Sequence, residues 1–250
     1  AGRAGDTELM DDPAADEGLL LATVEQFGAI NRLVSRSRTL ISRYILDDAE
    51  RRGLAEYTVL DLGAGACDIA EWLVEAARRR GQRPHVICLD SDPRIAAYAR
   101  RRVAGNDSLE VVEAAAEELP RLGPVDYVFA NHFLHHLDDD EVIRLLPAVR
   151  SAARNAFVLN DLKRSRLSHA GFTVLAALFF RKSFALRDGQ LSIRRGFRRG
   201  ELENLMRRAG LGPGGRVDGA DVQELGVRSL FPGRLAIVGR NIGNEHLRDS

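Results

Sequence analysis

A chain of 250 residues in which 45% are apolar is long enough to bury the core of one α/β domain. Its two cysteines, Cys67 and Cys88, are too few for a disulfide framework, and we expect both to be reduced thiols in a cytoplasmic protein. The acidic N-terminus does not resemble a signal peptide, and the longest apolar run, residues 171–180, is too short to span a bilayer.

The formal net charge of zero conceals two segments of opposite charge. Residues 1–31 carry seven acidic residues and one arginine, whereas residues 163–208 carry twelve basic and three acidic residues. Because residues 1–17 are rich in acidic residues, alanine and glycine, we predict that they form a disordered acidic tail. The basic segment is consistent with a solvated surface, or with a site for an anionic acceptor, a nucleic acid or a membrane surface.

Residues 18–250 are predicted to form one domain. Apolar residues recur at helical spacing from Leu19 to about Leu46, which predicts one or two helices in an N-terminal cap, residues 18–54. Strands and helices then alternate. The predicted strands lie near residues 58–62, 85–89, 109–112, 125–130 and 155–160, and the predicted helices near 68–80, 93–102 and 138–150. Continuous apolar strands separated by helices indicate a parallel sheet with helices on both faces.

The alternation ends after the fifth strand. Residues 163–200 form a basic and apolar insertion, which we expect to be a helical lid that lines the substrate pocket. A helix near residues 199–209 follows, with Gly210 as its C-cap, and residues 215–240 are predicted to contain a closing β-hairpin.

The first strand runs into a glycine turn, Gly63-Ala64-Gly65, and the turn opens a helix. Glycine lets the backbone turn sharply and approach a ligand without a Cβ in the way. A dinucleotide-binding loop would carry a third glycine at position 68, where this chain has Asp68 in capping-box spacing with Glu71. A carboxylate there repels a phosphate. The loop therefore favours a cationic cofactor without phosphates, and S-adenosylmethionine fits that description.

The second strand ends in Asp90, 25 residues after Gly65. An acid near this spacing meets the ribose hydroxyls of an adenosine cofactor. The alternative is that Asp90 only caps the helix that begins near Pro93.

Four motifs carry a family resemblance: VLDLGAGACDIA, ICLDSDP, VVEAAAEELP and VDYVFANHFLHHL. In this order and at this spacing they resemble the class I S-adenosylmethionine-dependent methyltransferases, over roughly residues 55–240. The resemblance implies a Rossmann-like, doubly wound sheet of seven mostly parallel strands with an antiparallel last strand. It also implies that S-adenosylmethionine binds at the carboxyl ends of the strands and leaves as S-adenosylhomocysteine.

The resemblance further assigns contacts to the cofactor. It places Asp61, Gly63, Ala64 and Gly65 around the methionine part, Asp90 and Ser91 at the ribose, Ala116 and Glu117 at the adenine, and Asn131 beside the methyl group. Relatives often carry an acid where this chain has Ala115. We therefore expect backbone groups or Glu117 to contact the adenine instead.

The end of the fourth strand indicates the class of acceptor. Asn131-His132-Phe133-Leu134 departs from the Asn-Pro-Pro-aromatic pattern of enzymes that methylate bases or amide nitrogens. His135-His136-Leu137 and Asn160-Asp161-Leu162 resemble small-molecule methyltransferases instead. We predict methyl transfer to a small aromatic or apolar molecule, on a hydroxyl oxygen, in a biosynthetic pathway. The alternatives are carbon or nitrogen methylation, a nucleic-acid methyltransferase, and a non-catalytic cofactor-binding protein.

A hydroxyl acceptor with a pKa of about 10 benefits from a base. His135 is our first candidate, His132 the second, and Asp161 is a third group that can orient a histidine or bind the hydroxyl. The alternative is that these histidines only brace the helix that follows. No Cys/His cluster has zinc spacing, so the sequence predicts no metal.

The lid insertion supplies the remaining expectations. Its apolar side chains are predicted to line the acceptor pocket, to pack the lid, or to be buried in a homodimer; they are Phe172, Val174, Leu175, Leu178, Phe179 and Phe180. Its arginines are predicted to bind an anionic part of the acceptor; they are Arg164, Arg166, Arg187, Arg194 and Arg195.

Overall fold

The computed structural model describes residues 2–6, 8–179, 183–212 and 222–241, without the side chains of residues 30–34, 174, 175, 177–179, 222 and 223. Seven strands of these residues form one sheet. They are Glu56–Leu62 (β1), Arg83–Asp90 (β2), Leu109–Glu113 (β3), Val125–Asn131 (β4), Ala153–Leu162 (β5), Val222–Leu230 (β6) and Arg234–Asn241 (β7).

The helices pack around this sheet. In the described ranges they are Glu17–Val34 (α1), Ser37–Ile41 (α2), Asp47–Arg51 (α3), Asp68–Arg78 (α4), Pro93–Arg102 (α5), Asp139–Ala152 (α6), Arg166–Phe179 (α7), Ala185–Arg195 (α8) and Arg199–Arg208 (α9). A π-helical turn, Ser42–Leu46, joins α2 to α3. Among the described residues, none of these helices has both the length and the apolar composition that a bilayer span requires.

The strand order is β3-β2-β1-β4-β5-β7-β6. β1 pairs in parallel with both β2 and β4, and β7 lies antiparallel between β5 and β6. The predicted Rossmann-like sheet with an antiparallel last strand is therefore confirmed. Because the chain reverses its direction of winding between β1 and β4, a crevice opens beyond the carboxyl ends of these two strands, where open α/β sheets bind their ligands.

Alternate residues of the strands face two apolar layers, one on each side of the sheet. In β1, Val59 packs in the layer that includes residues of α2 and α4, while Leu60 and Leu62 pack in the layer that includes residues of α6 and α9. All three side chains are fully buried. Burial of a side chain of this size contributes about 1.5–3 kcal/mol, so the register of β1 holds the loop that follows it in one position.

Residues 2–6 and 8–16 lie against the domain, where the sequence predicts a disordered tail. The Arg3 side chain donates hydrogen bonds to the carbonyls of Leu137 and Arg195, and its guanidinium lies over the Phe197 ring. The Asp188 carboxylate accepts the backbone N–H groups of Leu9 and Met10. The partners of this segment lie more than 130 positions further along the chain, and its composition does not reveal them.

Candidate active site

A cavity of about 1570 Å³ lies at the carboxyl ends of the central strands. Its floor contains the strand ends Asp61, Asp90, Asn131 and Leu162 and the loop after β1. Its walls come from α1, α7, α8, the turn between β6 and β7, and the N-terminal strap, which we define as residues 8–16.

The glycine turn after β1 is held by β2. The Ala64 N–H donates to the Leu89 carbonyl and the Gly65 N–H donates to Asp90 Oδ2, both at 2.9 Å. Gly63 and Gly65 have φ angles of +67° and +55°. A Cβ on Gly63 would lie 2.7 Å from the Phe133 ring, whereas a Cβ on Gly65 would meet no atom within 4 Å. Gly65 therefore leaves open space on the cavity side of the loop.

Three carboxyl groups, those of Asp61, Asp68 and Asp90, surround this loop, and they become negatively charged most readily when a cation is near. Asp61 is 4% exposed, and burial together with the charges of Asp68 and Asp90 raises its pKa to about 8. Burial also raises the pKa of Asp90. The backbone N–H groups of Asp92 and Gly65 act in the opposite direction, because their hydrogen bonds favour the ionised carboxylate, but burial outweighs them. A ligand cation stabilises such carboxylates and a phosphate destabilises them. The open space at Gly65 and this charge fit S-adenosylmethionine.

The start of α4 differs in detail from the prediction. Its N-cap is Cys67, with a φ angle of +61°, and this residue makes no side-chain capping hydrogen bond. Glu71 pairs with Arg102 instead of reaching back to the helix start. The predicted Asp68–Glu71 capping box is therefore wrong, although Asp68 does begin the helix and lines the cavity.

Of the two residues predicted at the adenine, Ala116 lines the cavity, while Glu117 is exposed and lies outside the lining. Ala114 completes this part of the wall, and its N–H donates to the Asp90 carbonyl. Ser91 and Asn131 both line the cavity. Asn131 Oδ1 accepts a hydrogen bond from Asn160 Nδ2, which also bonds the Ser35 carbonyl.

His135 and Asp161 form a buried pair beside Asn131. Asp161 Oδ1 lies 2.7 Å from His135 Nδ1, and Asp161 Oδ2 accepts the His135 backbone N–H at 2.8 Å. Burial raises the pKa of Asp161, but the charge and hydrogen bonds of His135 outweigh it, so the pKa lies below its usual value. Asp161 is therefore a carboxylate that orients the imidazole and leaves Nε2 as its available nitrogen.

His132 also lines the cavity, and its side chain contacts Arg234. Burial and the charge of Arg234 lower the pKa of His132 well below its ordinary value. A histidine in that environment is a weak base. Of the two predicted candidates, His135 is the one whose surroundings suit proton transfer.

The sequence did not reveal the contribution of the N-terminal strap. Glu8 is 2% exposed, and its Oε1 accepts from Ser192 Oγ and lies 3.7 Å from His135 Nε2. Asp11 Oδ2 lies 3.2 Å from His136 Nδ1. Burial lowers the pKa of His136, but Asp11 and Glu8 outweigh it and raise the pKa to about 9. The only sequence signal is an apolar pair, residues 9–10, within an acidic stretch.

Arg94 is a second feature that the sequence did not reveal. Its guanidinium pairs with Asp92 and donates to four carbonyls of the strap, those of Met10, Asp12, Pro13 and Ala15. Arg94 therefore holds the strap against the start of α5 at the wall of the cavity.

The arginines predicted to bind the acceptor lie elsewhere. None of the five is among the residues that line the cavity; Arg164 pairs with Glu201, and Arg195 donates to the carbonyls of His135 and His136. The basic residues of the described lining are Arg94, Lys163 and Arg234, apart from its histidines. Phe172 lines the cavity as predicted. Phe180 and the side chains of Val174, Leu175, Leu178 and Phe179 lie outside the described residues.

Comparisons with known proteins agree with this geometry. Residues 59–156 match a family model described as a methyltransferase domain. A solved S-adenosylmethionine-dependent methyltransferase from Aquifex aeolicus is 16% identical, with a TM-score of 0.57 over 89% of this chain and 98% of that chain. No curated protein matches the chain.

Two further solved structures were determined with the cofactor or its product. Human N-acetylserotonin methyltransferase, in complex with S-adenosylmethionine, is 16% identical with a TM-score of 0.59, over 90% of this chain and 56% of that chain. The plantazolicin methyltransferase BpumL, in complex with S-adenosylhomocysteine, is 12% identical with a TM-score of 0.63, over 94% and 93%.

The family match begins within β1 and ends within β5, so it includes the glycine turn, Asp90, Asn131 and His135. The loop after β1 suits the cofactor with which these similar structures were determined, S-adenosylmethionine or its product S-adenosylhomocysteine. Residues 59–156 therefore belong to a methyltransferase domain family, and the fold around them is that of solved S-adenosylmethionine-dependent methyltransferases.

Proposed function

We propose that this enzyme methylates a hydroxyl oxygen of a small, apolar and partly anionic aromatic molecule in a biosynthetic pathway. The observation that carries the proposal is the buried His135–Asp161 pair beside the end of β4. A carboxylate acceptor needs no base, whereas a phenol with a pKa of about 10 does. An imidazole whose tautomer is fixed by a carboxylate is suited to take that proton.

The bound cofactor supplies an electrophilic methyl group on its sulfonium. The residues of the chain hold the acceptor, exclude water and receive the proton. Asn131 and His135 line the cavity, and Asp161 lies buried behind His135, which is 2% exposed. His135 Nε2 accepts the hydroxyl proton as the oxygen takes up the methyl group. Positioning in such a dry site supplies about 7–11 kcal/mol of the barrier reduction.

The shape and lining of the cavity support an apolar acceptor. Ligand pockets commonly measure about 300–1,000 Å³, and the larger volume here leaves room for an acceptor beside the cofactor. Phe27 and Phe172 line its interior. Leu167 and Phe231 also line it while remaining 80% and 79% exposed, so they lie at its solvent-facing edge. An exposed apolar rim favours an aromatic or aliphatic molecule.

Lys163 and Arg234 support the proposal that the acceptor carries an anionic group. They bring positive charge to the side of the cavity formed by the end of β5 and the start of β7.

The names of the similar structures, an N-acetylserotonin methyltransferase and a plantazolicin methyltransferase, support a small biosynthetic molecule as acceptor. The two buried free cysteines are compatible with a cytoplasmic location.

The test is a panel of phenols of graded pKa and side-chain length, with S-adenosylhomocysteine formation as the readout. We expect methylation of apolar phenols, and we expect His135→Ala to lower kcat about 10²–10⁴-fold without weakening S-adenosylhomocysteine binding. The decrease in kcat should be smaller for acidic phenols, because these are already ionised and need no base. His85→Ala is the matched control, because His85 pairs with Glu110 on the exposed surface. Unchanged turnover in His135→Ala removes this residue from the mechanism, and methylation of short hydrophilic acceptors alone contradicts the proposed substrate class.

A further inference from the structure

The N-terminal strap brings the Glu8 side chain close to two of the histidines that follow β4, His135 and His136. One ligand atom from each of Glu8, His135 and His136 lies within 4.8 Å of the other two. More than a hundred positions of the sequence separate Glu8 from the two histidines, and all three residues line the cavity. We propose that Glu8, His135 and His136 form a binding site for a divalent transition-metal cation on the acceptor side of this cavity.

Glu8 lies in an environment that suits a metal ligand. This side chain is 2% exposed, and in the described structure its Oε2 has no hydrogen-bond partner. Its Oε1 lies 3.7 Å from His135 Nε2, which is too long for a hydrogen bond. Two atoms that share a tetrahedral Zn²⁺ at about 2.1 Å lie roughly 3.4 Å apart. The separation therefore suits two ligands of one cation better than a donor and an acceptor.

The two imidazoles are oriented as in metal-binding histidines. His135 Nδ1 is bonded to the Asp161 carboxylate at 2.7 Å, and His136 Nδ1 lies 3.2 Å from the Asp11 carboxylate. Histidines that bind a metal through one ring nitrogen usually donate the other ring N–H to a carboxylate or carbonyl. Here both imidazoles have such a partner, on two different elements of the fold.

The carboxyl groups around the two imidazoles favour a cation. Glu8, Asp11 and Asp161 lie against the imidazoles, whereas the guanidinium groups of Arg3 and Arg195 bond backbone carbonyls of the histidines. Carboxyl groups in this position stabilise a bound cation. Two imidazoles and one carboxylate favour Zn²⁺, Mn²⁺ or Co²⁺ over Ca²⁺ or Mg²⁺, which prefer oxygen ligands.

Only the catalytic consequence of this metal site rests on the proposed function. A cation held here would polarise an acceptor oxygen and would occupy His135 Nε2, so that the cation would replace the imidazole as the group that promotes ionisation of the hydroxyl. Binding of the metal itself is a separate question from methyl transfer, and it can be measured without an acceptor.

The experiment uses the full chain, stripped with a chelator and titrated with Zn²⁺ and with Co²⁺ by calorimetry and absorption. We expect one cation per chain, with a Co²⁺ spectrum free of thiolate charge-transfer bands. Glu8→Gln and His136→Gln should weaken binding at least tenfold, and Asp11→Asn, which removes an orienting carboxylate, about 10–100-fold. His85→Gln should bind normally, since His85 and Glu110 lie on the exposed surface.

Three outcomes overturn the proposal. One is the absence of stoichiometric binding in the unaltered chain, which would mean that protons alone neutralise the cluster. Another is binding that Glu8→Gln and His136→Gln leave unchanged. The last is a thiolate spectrum, which would assign the cation to Cys67 and Cys88. S-adenosylhomocysteine binding by each variant shows that it is folded, and turnover of phenols shows separately whether the proposed function holds.

Discussion

Substitution of Gly65 by alanine separates the fold of the loop from its contact with the cofactor. Gly65 has a φ angle of +55°, which costs an alanine about 1–2 kcal/mol. Alanine also lowers the conformational entropy of the unfolded chain, which stabilises the folded protein by about 0.4–1 kcal/mol. Since the new Cβ meets no protein atom within 4 Å, no clash adds to this cost. We expect a net loss of about 1 kcal/mol, a fall in Tm of about 2–4 °C.

Cofactor affinity should fall by more than this strain explains. The added methyl group enters the open space beside the loop, where we place the methionine part of S-adenosylmethionine. A loss of 1.4 kcal/mol in binding is a tenfold rise in Kd, and we expect at least that for S-adenosylhomocysteine by calorimetry.

Gly81→Ala is the matched control. Gly81 has a φ angle of +74°, has open space around its Cβ position and lies outside the cavity lining, after the end of α4. It should lose similar stability and bind the cofactor normally. Wild-type affinity in Gly65→Ala would refute the close approach of this loop to the cofactor. Equal loss of affinity in Gly81→Ala would show that the effect is global.

Further predictions concern the carboxyl groups, the strap and the core. Because Asp61 has a pKa of about 8, S-adenosylmethionine should bind more tightly as pH rises from 6 to 8, and a flat titration profile contradicts this. Its native pKa lies above the unfolded value, so Asp61 contributes a loss of stability without cofactor as pH rises over 4–8, and Asp61→Asn should remove that contribution in urea unfolding. Arg94→Ala should speed proteolysis within residues 8–16, and equal rates of cleavage would show that Arg94 is not needed to hold the strap. Phe129→Ala, at a buried side chain of β4, should cost about 3–5 kcal/mol in urea unfolding, and a loss below 1 kcal/mol contradicts the close packing of the sheet.

The regular elements could be predicted because their signals are local. α5 begins at Pro93, as predicted, since Asp92 accepts the backbone N–H groups of Arg94 and Ile95. β1 and β2 extend only two residues beyond their predicted starts at 58 and 85, because apolar runs define them. The cofactor loop follows from the same local pattern, with two glycines after a buried strand and an acid where a phosphate-binding loop has a third glycine.

The walls of the cavity depend on contacts that no local pattern contains. Asp188 binds the N–H of Leu9 across 179 positions, and Ser192 binds Glu8 across 184. The groups that contact Glu8 reach it only in the folded protein. Composition alone therefore indicates a solvated acidic tail. Arg234, which sits beside His132, reaches the site only because β7 inserts between β5 and β6.

Calorimetry of the unaltered chain with three ligands tests the central claim most directly. The negatively charged glycine loop should bind S-adenosylmethionine and S-adenosylhomocysteine, one per chain, and should not bind the diphosphate NADH. Tight binding of NADH without any binding of S-adenosylhomocysteine would contradict the account.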